Sequence, residues 1–424
     1  MLGVIGADSL WLVAVGRTIV RLGHLPDGIP YASGDSHDWP NVPVLSELAF
    51  YSGYSVLQER WLLVLQVAAV LASFLVLARL LRREGATDVA TALVLLVVAI
   101  GGSATFLVIR VQLFSLVLFP VLLTLLYREH RAPSRGIWLL PPLVALWSSL
   151  HGAVLAGFAV AGVYLLVDRV RRDASTAVGV LVLSGVALFV TPALWNTPSY
   201  YAGVLSNEAA RRAFGLWAPL GLHPFDVVLT VAAVVLLVLT LRARPAAWEL
   251  VALAGLALLT ARSARGGTWL LMLAAVPAAR GLALEARVRP RLAVVGTAVA
   301  GVLLVVGVAK GPLDPTSGRV VDEAVKASQG SPILAEPLLA ERVAVEGGRV
   351  YVANPLDAFA RDDQRAYLDW LQGRPGATRA IARAGLVALI RPGSDVERRA
   401  RASGRYRVAA EDANAVLLVR RRSP

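Results

Sequence analysis

The stretch GADSLWLVAVG, residues 6–16, sets one carboxylate, Asp8, into an otherwise apolar run near the start of the 424-residue chain. A carboxylate can take the proton of an attacking hydroxyl, which is what group transfer asks of a general base. It can equally cap a helix or sit hydrated at a membrane surface, although an acid kept in an apolar run usually has a purpose. Cations form a second set of candidates. Arg262 and Arg265 are three residues apart at the end of an apolar stretch, so in helical geometry they share a face and could grip a phosphate together. Arg110, in a turn two residues before Gln112, is the next choice. His151, in SSLHGA, reads as a hydrogen-bonded turn residue or as a proton carrier. Asp35, His37 and Asp38 in SGDSHDWP are metal-ligand types, but such spacing is common in solvated turns. No metal is therefore assigned, and a divalent cation is the one cofactor left open. Trp11 and Trp39 read as interface anchors or as stacking platforms for a sugar ring. Glu47, in LSELAF, reads as a helix-surface acid or a site acid.

The elements that must position these residues are set by composition. With 57% hydrophobic and 17% charged residues and a mean hydropathy of +0.64, the chain reads as an integral membrane protein rather than a soluble globule. Its formal charge of +13 does not point to nucleic acid, because the basic residues, all arginine except Lys310 and Lys326, fall in short clusters between apolar runs. Zero cysteines exclude disulfides, thiol catalysis and thiolate metal sites, and five histidines leave little room for a histidine-rich metal centre.

Ten apolar stretches are long enough to cross a bilayer, some only with help from neighbours: 61–81, 89–109, 111–127, 137–150, 152–168, 175–194, 225–242, 246–261, 267–283 and 291–309. Arginines cluster in alternate loops, at 79–83, 128–135, 169–172, 242–244 and 280–291, which places those loops in the cytoplasm. The segment 20–60, the turns at Arg110, His151 and Arg262 to Arg265, the loop 195–224 and everything from 311 onward then face outward. Arg211 and Arg212 in that long outer loop read as solvated. Ten spans with an outward tail require an outward N-terminus, so a span upstream of this chain, or an imperfect one within residues 1–20, is expected, with Asp8 near the outer surface.

From Gly311 the apolar runs shorten to strand length, as in PILAE, RVYVAN, LVALIR and AVLLVRR, between helix-like segments such as DDQRAYLDWLQG. The expected organisation is an all-α polytopic membrane domain of about ten or eleven spans over 1–310, with a first outer loop at 20–60, and a small extracytoplasmic α/β domain over 311–424. The boundary is the Gly-Pro-Leu-Asp-Pro stretch at 311–315. No glycine-rich phosphate loop opens a helix in the tail, so it is assigned no nucleotide.

ADSLWLVAVG, GHLP at 23–26, Trp39 and LSEL at 45–48 resemble the opening of a bacterial family of multi-span proteins that reads Asp-Pro-Asp-Leu-Trp-Trp-His-Leu, then Gly-x-Ile-Pro, then Trp with His-Glu-Trp-Leu. The likeness continues through RVQLFSL at 110–116, IWLLPPLVALWSSLHGAVLAG at 137–157, TPALWNTPSYY at 191–201, ARSARGGTWLLMLAAVPAARG at 261–281 and VYVANPLDAF at 350–359. The chain is thus similar to GT-C-like glycosyltransferases that use lipid-linked sugars. The resemblance implies transfer of a hexosyl or pentosyl group from a polyprenyl-phosphate donor to a glycan, lipid or protein acceptor outside the bacterial cytoplasmic membrane. It puts Asp8 at the second acid of the family's Asp-Pro-Asp, as base or as the group that orients the acceptor, and Glu47 at the common downstream acid. Gly6 stands in place of the first acid, Leu12 in place of the histidine, and Val42 and Pro43 in place of His-Glu. Two readings follow: an active transferase with Asp8 as base, the Arg262 and Arg265 pair on the phosphate, and Arg110, His151, Glu47 and Trp39 on substrate; or a non-catalytic GT-C-like protein that binds lipid or glycan in an envelope assembly.

Overall fold

The computed structural model describes residues 3–282, 309–316 and 318–421. The chain divides into two compact units, one of residues 1–3, 63–194 and 213–312 and the other of residues 4–62, 195–212 and 313–424.

The first unit is helical. Its apolar stretches become the helices Glu59–Arg83 (from Leu63 onward), Asp88–Gly101, Leu113–Arg131, Leu140–Ser148, Val154–Val167, Ala174–Ala187, Pro224–Arg242, Ala247–Arg262 and Gly267–Gly281. The expected stretch 291–309 lies, but for its last residue, outside the described residues. Glu59–Arg83, Leu113–Arg131 and Pro224–Arg242 are long and apolar enough to cross a membrane. At 1.5 Å per residue the first is about 37 Å long. Others are shorter than the sequence suggests. The run 137–150 breaks into a 3-10 turn, Arg135–Leu139, and the nine-residue helix Leu140–Ser148, because Pro141 and Pro142 have no N–H to continue a helix and fit best in a first turn.

The outward faces of these helices keep large apolar side chains, among them Leu75, Leu96, Val182, Val231 and Leu258. The arginine-bearing loops expected on one side of the membrane meet at one end of the helices. Arg131 pairs with Glu84 at 3.2 Å, Arg280 with Glu249 at 2.5 Å, Arg169 with Glu129 at 3.7 Å, and Arg172 with Asp168 at 3.4 Å. The Tyr127 hydroxyl donates to Glu249 at 2.5 Å. The first three pairs join different segments, whereas Arg172–Asp168 is local, and opposite charges are thus brought close where an isolated buried charge would be costly.

The second unit is mixed. The helices Ser9–Leu22 and Val44–Leu57 pack against one another and against the tail. In the tail, four strands order as Leu334–Ala335, Val387–Ile390, Val416–Arg420 and Tyr406–Glu411. The first pair is parallel, with Leu334 opposite Ala388, and the other pairs are antiparallel, with Ala388 opposite Leu418 and Val408 opposite Leu418 on its other side. Val387–Ile390 is buried along its whole length, as expected of a strand covered on both faces. The edge strand Tyr406–Glu411 is largely exposed and carries a bulge near Val408 and Ala410, which blunts the edge. The 311–315 linker is anchored: Ile5 N–H donates to Leu313 O at 2.9 Å, and Asp314 pairs with Arg342.

The helix Pro337–Val345 holds this unit together. Its sequence, PLLAERVAV, is apolar except for Glu341 and Arg342, and both are buried. Arg342 reaches Asp314, Glu59 at 3.0 Å and Glu346 at 3.4 Å. The cation stays charged because those carboxylates outweigh the cost of burial. Loop 195–212 is tied to the helix Arg361–Gln372: Arg365 pairs with Glu208 at 3.2 Å, and Arg212 with Asp369 at 2.8 Å. Arg212 is therefore mostly buried and paired, which corrects its reading as a solvated loop residue.

Candidate active site

In the second unit, Asp8, Glu47, Trp39 and Trp11 come together with residues that no sequence motif marked. Asp8 is the residue before the helix Ser9–Leu22, with φ 78°, and its side chain makes no capping bond. Glu47 sits in the first turn of Val44–Leu57. The two helices approach closely at Gly16, where a side chain would meet the carbonyl oxygen of Glu47.

Glu47 is fully buried. Asn41 Nδ2 donates to its Oε2 at 2.8 Å, while Glu47 Oε1 and Asn41 Oδ1 have no hydrogen-bond partner. Burial pushes the Glu47 carboxyl up to about 8, against the Asn41 bond. Two unpartnered buried oxygens suit a ligand hydroxyl, an ammonium group or a hard cation.

An aromatic wall lies beside the acids. Trp11 and Trp39 meet edge to face with centroids 6.4 Å apart, and Trp39 lies 6.2 Å from Tyr200. Trp39 Nε1 donates to Asp357 at 3.3 Å, and the Trp11 indole N–H is buried without a partner. The Tyr200 phenol is pushed well up by burial, then by Asp357, with Glu47 and Asp8 among the charges it senses. Tyr31 is raised by burial and by Glu341 and Glu47. The acids therefore converge on these phenols. Among the described residues, Asp8, Glu47 and Glu341 form no ion pair.

Glu341 joins this candidate site without any motif in the sequence to mark it. Its Oε1 accepts from Asp8 N–H at 2.9 Å and from Asn354 Nδ2 at 2.6 Å. Its Oε2 accepts from Leu10 N–H at 3.1 Å and Trp11 N–H at 3.4 Å. Burial and the neighbouring Asp8 charge push it up to about 8, while these donors favour the charged form. The available signal was a Glu-Arg pair inside an otherwise apolar run.

The other candidates, Arg110, His151, Arg262 and Arg265, belong to the first unit. The helix ends at Arg262, Ser263 is extended (φ −156°), and Arg265 lies in a 3-10 turn. The expectation that Arg262 and Arg265 share a helical face is thereby corrected: the polar, unwinding Ser263 separates them. Arg262 is exposed, whereas the Arg265 guanidinium lies 5.0 Å from the Trp217 ring centroid. Arg110 is half-buried, and its Nε has no hydrogen-bond partner. His151 Nδ1 lies 2.7 Å from Ser115 Oγ, which accepts from Trp147 Nε1 at 2.7 Å. Ala153 N–H also points at Nδ1, at 3.4 Å. Burial, then Arg265, holds this turn histidine well below its ordinary value, so it is neutral, with the proton on Nε2.

The polar loop groups itself differently from the sequence reading. His37 and Asp38 cluster with Asp27, their ligand atoms within 4.8 Å of one another, all three exposed. Asp35 instead accepts from His37 and Ala360 N–H, and its own N–H donates to Asp363. An exposed acidic cluster alone does not define a metal site, so none is assigned.

Comparison with solved structures accords with the fold. The chain is similar to the crystal structure of ArnT from Cupriavidus metallidurans in the apo state, with a TM-score of 0.53, 16% identity, and coverage of 99% of this chain and 94% of that one. A second structure of that protein, bound to undecaprenyl phosphate, gives a TM-score of 0.49 and 15% identity over 98% and 94% of the two chains. The likeness is one of fold: the chain is ArnT-like in architecture. No protein-family model and no curated protein matches the chain.

Proposed function

We propose that the chain is a membrane glycosyltransferase that moves a hexosyl or pentosyl group from a polyprenyl-phosphate donor to a glycan, lipid or protein on the outer side of the bacterial cytoplasmic membrane. The observation that carries the proposal is the Asp8 carboxylate, unbonded at a helix N-terminus and set among Glu47, Trp39 and Tyr200. Three long apolar helices and the apolar outward faces support a membrane setting.

In this reaction the acceptor O–H gives its proton to Asp8 as its oxygen bonds to the sugar C1. The C1–O bond to phosphate breaks, and the polyprenyl phosphate leaves with the electron pair. Trp39 offers a face for a sugar ring, and Glu47 an acceptor for a hydroxyl. A departing phosphate calls for cations, and the first unit, taken by itself, offers Arg265, Arg110 and Arg262 as candidates.

The test is transfer of radiolabel from a panel of polyprenyl-phosphate hexoses and pentoses by the purified full chain. Release of polyprenyl phosphate with label in a new product is the expected result. Donor binding without turnover by any donor would replace this reading with the non-catalytic, lipid- or glycan-binding one.

A further inference from the structure

We propose that Glu341 is the positioning residue for Asp8: from the tail it takes the helix-capping bonds that an aspartate in this place ordinarily makes itself, and so leaves the Asp8 carboxylate free to meet substrate. The assignment deepens the transferase reading and rests on it for its catalytic part.

An aspartate before a helix usually adopts extended backbone angles and accepts the N–H groups of the second or third helical residue. Asp8 does neither: φ is 78° and ψ −4°, and its side chain makes no such bond. The orphan amides of a helix start still need acceptors. Here Asp8, Leu10 and Trp11 N–H all point at Glu341. Asn354 Nδ2 donates to the same oxygen as Asp8 N–H and fixes the carboxylate further. The bond to Asp8's own N–H also helps hold the left-handed backbone, which aspartate tolerates better than most L-residues.

A second clamp keeps the two helices in register. Arg17 Nη1 and Nη2 donate to Val345 O and Ala344 O, both at 2.8 Å, at the C-terminal end of the helix that carries Glu341. One helix gives its N-terminal amides to Glu341, and the other gives its C-terminal carbonyls to Arg17. Each contact suits the partial charge of the helix end involved. The tail thereby sets the place of a carboxylate more than 300 residues earlier in the chain.

The test compares wild type, Glu341→Ala and Glu341→Gln as full chains in lipid nanodiscs, by amide hydrogen exchange and by turnover. Glu341→Ala is expected to speed exchange at residues 8–11 by about tenfold or more while leaving the strand Val387–Ile390 unchanged. Glu341→Gln, which keeps one acceptor oxygen and the side-chain volume, is expected to show a smaller acceleration at the same amides; it decides the matter if the alanine variant does not fold. In turnover, kcat should fall about tenfold or more with donor KM within about twofold, and in an Asp8→Asn background Glu341→Ala should cost less than about twofold further, because both act through one group. Unchanged exchange at residues 8–11 in both variants, or losses that multiply in the double variant, would overturn the assignment. If wild type turns over no donor, the transferase reading fails by itself and exchange alone decides whether Glu341 caps this helix.

Discussion

Gly16 and Glu47 touch across two helices: a side chain at position 16 would run into the backbone carbonyl of Glu47 and into Tyr51 Cβ. The absence of a side chain at Gly16 is what lets Ser9–Leu22, preceded by Asp8, lie against Val44–Leu57, which carries Glu47. Gly16→Val should therefore force the helices apart and cost about 1–3 kcal/mol, the usual range for overpacking. Gly203, where added atoms meet nothing within 4 Å, is the control. Thermal unfolding in detergent should show a lowered Tm for Gly16→Val and an unlowered one for Gly203→Ala, whose methyl group favours the helix Thr197–Ser206.

Glu47 and Glu341 give the second unit a pH dependence of defined sign. Both carboxyls are raised by burial to about 8. The stability they contribute is fully present below the ordinary carboxyl range and is lost as pH rises through about 8. Tm should thus be higher near about pH 5 than near about pH 8.5, and Glu47→Gln, which removes one of the two groups, should flatten that slope. A Tm that rises over this interval, or a slope unchanged in Glu47→Gln, would contradict the assignment.

Arg342 is the cation of a buried cluster with Asp314 and Glu59. Arg342→Met removes the cation those acids face, and removing one member of a buried pair costs about 3 kcal/mol or more. Lys in its place keeps the charge but loses the fork that reaches several acceptors. The Tm order should be wild type, then Lys, then Met.

Much of the helical unit was legible in the sequence, because long apolar runs between arginine clusters leave few alternatives. Three strands of the tail were legible in the same way, in PILAE, LVALIR and AVLLVRR, but RVYVAN forms only isolated bridges at Val350, and the exposed edge strand Tyr406–Glu411 has no apolar run to mark it. Helix breaks were harder: Ser263 looks innocuous in ARSARGG, yet its extended backbone separates Arg262 from Arg265. The site was half legible. Asp8, Glu47 and Trp39 lie in one N-terminal stretch, so a motif could mark them. Glu341, Asn354 and Asp357 reach it only through tertiary packing, and no local spacing records that. Asp27 was missed beside His37 and Asp38 because a turn ten residues long hides the pairing.

Trp39 separates binding from chemistry. Its ring contacts Trp11 edge to face and Tyr200 at a tilt, and its indole N–H donates to Asp357. Trp39→Ala should raise KM for the sugar-bearing substrate about tenfold with kcat little changed, and Trp39→Phe should recover most of the loss. A fall in kcat at constant KM would instead place Trp39 at the reacting centre.

Single-turnover sugar transfer by Asp8→Asn tests most directly whether Asp8 takes the acceptor proton. Asparagine keeps the shape and loses the base, so the rate should fall by about 100-fold or more, within the range for general-base catalysis, while donor binding stays within about twofold. Transfer by Asp8→Asn at the wild-type rate would exclude Asp8 as the base.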